Sequence, residues 1–330
     1  MAPSDMPAEG SRVEIHVEGP AGETQHTGVI LPPADTGFVS LKLDNGYNVS
    51  HPLSNVISLK LLAEAIPRIE TEKGELEFDA ALPLIRIIHT GGTIASKVDY
   101  STGAVVARFE PEEMLAAIPE LAKIARIEAV KIGNMWSDDM RPQHWNLISQ
   151  ATAQAFEEGA VGVVVTQGTD TMHMTSCALS MAWSGTGGRP PGRIAITGSQ
   201  RSSDRGSSDA TENLMAAVQW AAHGPQTDGG LGDSVVVVMH AASEDGHCAV
   251  HPGSSVRKSH SSRRDAFRSV NANAIADIIL SREGPRIELR ESYKPTDERP
   301  ISSTPTNFDT NIRISNLVAG PYLRAEMIDA

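Results

Sequence analysis

The decapeptide LIRIIHTGGT, residues 84–93, indicates the fold of the main part of the chain. Its first five residues are apolar except for Arg86, a pattern that predicts a buried strand. The strand runs into two glycines, which permit a sharp turn and a close approach of the backbone to a ligand. Because ligands bind at the carboxyl ends of strands in open α/β sheets, this turn is a candidate site. Two interpretations of Thr93 are open: it is a nucleophile, or it only completes the turn.

Downstream of this segment, short apolar strands alternate with helical stretches. Helices are predicted from Pro142 to about Glu158, from Thr171 to Trp183 and from Asp209 to Ala222, where Ser208 or Asp209 caps the last one. The strands between them cover residues 84–88, 127–132, 161–166, 193–197 and 235–240. Such alternation predicts a parallel sheet with helices on both faces.

The first part of the chain has a different pattern, typical of a small β unit. Apolar alternation predicts short strands at residues 13–17, 27–31, 38–43 and 56–59, and Asn45-Gly46 predicts a hairpin turn. This spacing favours a small barrel of the SH3-like type over residues 11–62. An acidic linker is expected at residues 63–82, followed by a larger α/β domain over residues 83–300.

Composition restricts the function. The chain has 330 residues, 40% hydrophobic and 21% charged, with a net charge of −13, which disfavours non-specific binding to nucleic acid or membranes. Neither a signal sequence nor an apolar run of membrane-spanning length is present, so the expected location is the cytoplasm. Cys177 and Cys248 are expected to be reduced core residues.

Polar clusters follow four of the predicted strands, at residues 90–93, 137–140, 166–171 and 198–201. Such a set permits acyl transfer, because a threonine hydroxyl needs a base and Asp170 with a lysine can relay a proton from Thr169. Asp138 can hold a substrate ammonium group. The alternative for each cluster is a tight turn or a helix cap. The glycine spacing matches no phosphate-binding loop, and the histidine spacing predicts no metal site. His240, His247, His251 and His260 are expected to be solvated or to support other groups.

Two separated motifs, TGGTIA at residues 90–95 and GTDTM at residues 168–172, resemble the signatures of the bacterial-type L-asparaginase family. The segments at residues 95–105, 200–209 and 262–268, with the N-terminal unit, are similar to the D subunits of archaeal glutamyl-tRNA(Gln) amidotransferases. This resemblance implies an asparaginase-type α/β domain preceded by a domain that plain asparaginases lack.

The resemblance also implies residue roles. In the family pattern, Thr93 is the acyl acceptor and the loop residue Tyr100 closes over it. Thr169 forms a triad with Asp170 and Lys258. Three further residues contact the substrate, and they are Ser137, Asp138 and Ser199. Ser137 and Asp138 hold the α-carboxylate and α-amino group, and Ser199 lies near the scissile amide. Which threonine attacks first is open.

The implied reaction is hydrolysis of the glutamine side-chain amide. Ammonia then passes to a partner, the E subunit of the amidotransferase, which uses ATP and magnesium to amidate Glu-tRNA(Gln), so no cofactor is expected in this chain. The family continues into a second, smaller α/β domain, whose beginning is expected at residues 301–330 and which supports a homodimer within a heterotetramer. The alternatives are a free-standing L-asparaginase and, if that domain is truncated, an inactive scaffold subunit.

A basic cluster follows the proposed catalytic lysine. It contains Arg257, Lys258, Arg263, Arg264 and Arg268. These side chains contact a partner or RNA, or they form ion pairs within the fold, and the second interpretation is favoured because the protein is acidic.

Overall fold

The structure is a computed structural model. It describes residues 6–19, 22–31, 37–44, 48–65, 79–92, 94, 96–99, 104–107, 118–184, 188–202, 207–225, 235–291, 299–302 and 304–311. Thr93, Tyr100 and residues 312–330 lie outside the described residues. The predictions that concern them, including the beginning of a C-terminal domain, therefore stay predictions.

The N-terminal unit is an antiparallel sheet of five strands in the order β4-β3-β2-β1-β5. Val13, Ile15 and Val17 of β1 are fully buried and share one core with Leu41 of β3. A flat single sheet would leave these residues exposed, so the sheet wraps around its own core, as the predicted small barrel requires. The strands are β1 (Arg12–Gly19), β2 (Gly22–Leu31), β3 (Phe38–Leu43), β4 (Asn48–Pro52) and β5 (Val56–Ala63).

The predicted hairpin in this unit is confirmed by its strands. β3 and β4 pair antiparallel, with Lys42 opposite Asn48. The turn residues Asn45 and Gly46 themselves lie outside the described residues.

The second unit contains a mixed sheet of eight strands in the order β17-β16-β13-β12-β11-β10-β6-β9. Two short hairpins accompany it, β7 with β8 and β14 with β15. The strands are β6 (Leu84–His89), β7 (Ser96–Asp99), β8 (Ala104–Ala107), β9 (Arg126–Lys131), β10 (Gly162–Thr166), β11 (Arg193–Thr197), β12 (Val235–His240), β13 (His247–Pro252), β14 (Val256–Lys258), β15 (Phe267–Ser269), β16 (Ala276–Ser281) and β17 (Gly284–Leu289).

The five strands predicted from the sequence, β6 and β9 to β12, are parallel to one another and confirm the α/β architecture. The expectation of a purely parallel sheet is wrong, because β13, β16 and β17 extend it with antiparallel pairing. Only residues 241–246 connect β12 to β13. A connection this short permits an antiparallel neighbour and is too short for a parallel crossover.

The order of the parallel strands explains where a site can form. Within this sheet, β6 comes first in the sequence, and β9 lies next to it on one side. The chain then crosses to β10 on the other side of β6 and continues to β11 and β12. In chain order the strands lie 2-1-3-4-5, so the direction of winding reverses between β6 and β10. The carboxyl ends of these two strands are the segments around Gly92 and Gly168.

In the part of the chain that the structure describes, three helices cover the two faces of the sheet, each within a residue or two of its predicted bounds. They are α1 (Pro142–Glu157), α2 (Met172–Ser184) and α3 (Ala210–His223). Ile85 and Ile87 of β6 point to the face covered by α3, whereas Ile88 points to the face covered by α1 and α2. This alternation follows from the period of two in a strand.

The two cysteines fit their expected roles. Cys248 is buried, Cys177 is half-buried, and both are free thiols. Burial raises the pKa of both thiols, which keeps them protonated and unreactive. Within the described ranges, no helix has the length and apolar character needed to span a bilayer.

Candidate active site

Glycines hold the strand ends in contact at the point where the winding reverses. A Cβ on Gly92 would lie 2.5 Å from the backbone N of Gly168, and one on Gly168 would lie 3.0 Å from Cβ of Ser137. A Cβ on Gly198 would lie 2.4 Å from the carbonyl O of Gln167. All four polar clusters predicted at strand ends therefore meet at one edge of the sheet.

This packing gives a direct test at Gly92. Both Gly92 and Gly159 have positive φ, +91° and +94°, but a Cβ at Gly159 meets no atom within 4 Å. We expect Gly159→Ala to lower the free energy of unfolding by about 1 kcal/mol, the cost of left-handed backbone. Gly92→Ala adds an overlap with Gly168, so we expect a loss of about 3 kcal/mol. Urea unfolding of the two variants measures the difference, and equal losses would contradict the packing.

Three of the predicted catalytic residues form a hydrogen-bonded cluster. Lys258 Nζ lies 2.8 Å from Thr169 Oγ1 and 2.7 Å from Asp170 Oδ1. The side chain of Lys258 is 8% exposed, whereas that of Asp170 is 64% exposed. The ammonium has three protons to donate and no lone pair, so it donates to both oxygens. β14 ends at Lys258 and brings it to the carboxyl end of β10.

Ser137 and Asp138 lie next to this cluster. Thr171 Oγ1 donates to the backbone carbonyl of Ser137 at 2.5 Å, and Ser137 is buried against Gly168. Asp138 is exposed, and its backbone carbonyl accepts a hydrogen bond from Arg141 at 2.7 Å. The substrate-binding roles of Ser137 and Asp138 stay predictions, and their position beside Thr171 is compatible with them.

Ser199 is held by Asp209, the residue directly before α3. Its hydroxyl donates to Asp209 Oδ1 at 3.0 Å, and the same carboxylate accepts the backbone N–H groups of Gln200 and Arg201 at 3.0 and 2.9 Å. Asp209 therefore fixes the loop after β11 and forms no side-chain cap on the helix, although it occupies the N-cap position. Ser208 Oγ accepts the N–H of Ala210 at 3.2 Å. The role of Ser199 near a scissile amide stays a prediction.

Gln200 is a site residue to which the sequence reasoning assigned no role. Its Oε1 accepts a hydrogen bond from Thr169 Oγ1 at 2.7 Å. The only signal in the sequence was its place beside Ser199 in a polar cluster at a strand end.

His89, the last residue of β6, contacts the end of β10 beside the Gly-Gly turn. Its Nδ1 lies 2.7 Å from Thr166 Oγ1, and Thr90 Oγ1 donates to the carbonyl of Thr166 at 3.0 Å. Burial and the positive charge of Lys131 lower the pKa of His89 to about 4. The imidazole is therefore neutral near pH 7 and acts as a fixed hydrogen-bonding group.

Most of the basic cluster forms ion pairs within the fold, which confirms the favoured interpretation. Arg263 and Arg268 both pair with Asp265, at 2.8 and 2.9 Å, and Arg264 pairs with Asp245. Lys258 pairs with Asp170, as described above. Arg257 is exposed and has no ion pair among the residues that the structure describes.

A cluster of three titratable side chains includes Glu212 of α3. Ligating atoms of Glu212, His240 and Asp245 lie within 4.8 Å of one another, which the sequence spacing did not indicate. His240 and His251 are buried, so of the two expectations for these histidines the second holds: they are not solvated and they contact other groups, Asn213 and Ser269.

Hydrogen bonds and charge account for this group without a metal ion. His240 Nε2 lies 3.0 Å from Glu212 Oε2, and Nδ1 lies 2.7 Å from Asn213 Oδ1. Burial opposes ionisation of Glu212, but hydrogen bonds from His240 and Gly246 keep its pKa below the usual value. Arg264 already pairs with Asp245, so a bound cation would add positive charge beside a guanidinium. The expected lack of a metal stays a prediction.

The remaining two site residues lie outside the described part of the chain. Thr93 directly follows Gly92, whose contact with Gly168 is described above. Tyr100 directly follows Asp99, the last residue of β7, in the sequence. The structure therefore leaves the roles of Thr93 and Tyr100 as predictions.

The strand order and the polar cluster at its reversal point define a doubly wound α/β protein with a site outside the sheet. A family model described as asparaginase, N-terminal, matches residues 84–293. The chain belongs to the asparaginase family. The thermostable L-asparaginase from Thermococcus kodakarensis has a similar structure, with a TM-score of 0.52 and 29% identity over 66% of this chain and 59% of that one.

Curated relatives extend the similarity to the N-terminal unit. The D subunit of the glutamyl-tRNA(Gln) amidotransferase from Pyrococcus furiosus is 38% identical over 311 residues, 93% of this chain and 67% of the relative. The corresponding D subunit from Saccharolobus islandicus is 41% identical over 288 residues, 86% of this chain and 61% of the relative. The chain thus spans roughly two thirds of the length of these relatives.

Proposed function

We propose that this chain is the glutamine-hydrolysing D subunit of a tRNA-dependent amidotransferase. The observation that carries the proposal is the contact of Lys258 Nζ with Thr169 Oγ1 at 2.8 Å and with Asp170 at 2.7 Å. Similarity to the D subunits of the relatives over 86–93% of the chain, including the N-terminal unit, favours this assignment over a plain asparaginase.

In the proposed reaction, the Thr93 oxygen attacks the side-chain carbonyl carbon of glutamine. The C–N bond breaks, ammonia leaves, and water hydrolyses the ester to release glutamate. Ser137 and Asp138 hold the α-carboxylate and α-amino group, Ser199 lies near the amide, and Tyr100 closes over the site. Thr169, Asp170 and Lys258 move the protons, because a threonine hydroxyl needs an activating base.

The proposed partner is the E subunit of the amidotransferase, which uses ATP and magnesium to convert Glu-tRNA(Gln) to Gln-tRNA(Gln) with the released ammonia. The complex would contain a homodimer of this chain within a heterotetramer. As an enzyme of protein biosynthesis, it would act in the cytoplasm.

Ammonia release from glutamine and from asparagine tests the proposal, with and without the E subunit and Glu-tRNA(Gln). We expect glutamine hydrolysis that increases when both the E subunit and the tRNA are present. Efficient asparagine hydrolysis by the chain alone, unaffected by tRNA, would instead support a free-standing L-asparaginase such as the T. kodakarensis protein. No ammonia under any condition would support the scaffold alternative.

A substitution at the proposed nucleophile sharpens the test. We expect Thr93→Ala to lower ammonia release by about 1,000-fold or more, since the acyl acceptor is lost. Thr93→Ser keeps a hydroxyl and serves as the matched control. The far-ultraviolet circular dichroism of both variants should equal that of the wild type. Turnover retained in Thr93→Ala would contradict the assignment of the nucleophile.

A further inference from the structure

The side chain of Gln200 joins Thr169 to the loop that follows Lys258. Thr169 Oγ1 lies 2.7 Å from Gln200 Oε1. Gln200 Nε2 lies 3.2 Å from the carbonyl O of His260 and 2.9 Å from that of Arg263. The backbone N–H of Gln200 donates to Asp209, a carboxylate that is fully buried. Both ends of the residue are therefore fixed.

These contacts determine which way the amide faces. A carbonyl oxygen only accepts, so the atom of Gln200 that faces two carbonyls must be the NH₂ group, which has two protons. The amide oxygen then faces Thr169. Because an amide oxygen has no proton, Thr169 must donate its hydroxyl proton to Gln200.

The hydroxyl of Thr169 has one proton and two lone pairs. The hydroxyl proton is donated in a hydrogen bond to Gln200, and one lone pair accepts a hydrogen bond from Lys258 Nζ at 2.8 Å. Within the described residues, no third partner of Thr169 Oγ1 is found. The second lone pair can therefore accept a hydrogen bond from a molecule that enters the site.

We propose that Gln200 is a positioning residue that holds the Thr169 proton away from the substrate, so that Thr169 presents only an acceptor to the reacting groups. The group that meets Thr169 is then a hydrogen-bond donor, such as a water molecule or the amide nitrogen of the substrate. This inference rests on the proposed function and adds to it the direction of the hydrogen bond at Thr169.

Two substitutions test the role. Gln200→Met keeps the length of the side chain but accepts no hydrogen bond, so the Thr169 proton is free to turn toward the substrate. We expect kcat for glutamine to fall about 10- to 100-fold, with KM within about 3-fold of the wild type. Arg201→Met is the matched control, because the Arg201 guanidinium contacts only the exposed Ser207 hydroxyl among the described side chains.

Gln200→Glu gives a signature that a merely structural role would not produce. An ionised carboxylate is repelled by the two carbonyls, whereas a protonated one can donate to a carbonyl and still accept from Thr169. The activity of this variant relative to wild type should therefore rise as the pH falls from 8 to 5. A Gln200→Met variant with kcat within 2-fold of wild type, or a Gln200→Glu profile parallel to wild type, would overturn the proposal.

Thr169→Val separates this inference from the proposed function. Ammonia release that is lost in Thr169→Val and unchanged in Gln200→Met would reject only the role of Gln200. If the wild type released no ammonia, the proposed function would fail. The hydrogen bond is then judged by urea unfolding of Gln200→Met, Thr169→Val and the double variant. Non-additive midpoints are expected, and strictly additive midpoints would reject the role of Gln200.

Discussion

Lys258→Met should lower the rate of glutamine hydrolysis about 1,000-fold, within the range expected for loss of a group that transfers protons. The ammonium is nearly buried and donates to both Thr169 and Asp170. Methionine fills similar space but donates nothing, so Thr169 and Asp170 both lose the hydrogen bond that the ammonium donates to them. Steady-state kinetics of ammonia release at pH 7.5 measure the effect, and we expect it in kcat more than in KM.

The neighbouring residue provides the control for this experiment. Arg257→Met removes a positive charge one residue away, from a side chain that is exposed and has no ion pair in the described part of the chain. We expect it to keep activity within about 3-fold of wild type. Folding should be little affected in Lys258→Met, because the partner left behind, Asp170, is 64% exposed and remains hydrated. An equal loss in both variants would show that charge in this region matters and that Lys258 has no special role.

The parallel part of the sheet could be predicted because its strands are short apolar runs separated by helical patterns. The Gly-Gly turn after β6 could also be predicted from the sequence, because only glycine at position 92 avoids a clash with Gly168. The antiparallel strands β16 and β17 were not predicted. Their burial is intermittent, and β17 is an edge strand without a single buried residue, so the hydrophobic pattern is weak.

Side-chain networks between distant segments could not be derived in the same way. Lys258 and Thr169 are 89 positions apart, and their pairing was implied by family resemblance alone. Asp209 has the residue type and position of a helix cap, yet the fold directs its carboxylate to Gln200 and Arg201. Local patterns indicate which groups need partners, whereas the topology decides which partner each one finds.

The second large effect concerns stability at acid pH. Burial lowers the pKa of both His89 and His251 to about 4, against an ordinary value of 6.5, with the positive charges of Lys131 and Arg290 as lesser causes. Below pH 6.5 the unfolded chain binds protons that the folded chain does not, so stability present above pH 6.5 is lost as the pH falls toward 4. At pH 5 each histidine should cost about 2 kcal/mol of unfolding free energy, or about 4 kcal/mol together.

Substitution of His251 measures one half of this effect. Its Nδ1 lies 2.8 Å from Ser269 Oγ, a contact that glutamine can keep without taking up a proton. Urea unfolding at pH 7.5 and pH 5.0 should therefore show that His251→Gln loses about 2 kcal/mol less than wild type between the two values. His223→Gln is the control, since His223 is exposed and its contact with the carbonyl of Ile124 can be kept by the amide. If His251→Gln had the same pH dependence as wild type and His223→Gln, a buried neutral His251 could not be the cause of acid destabilisation.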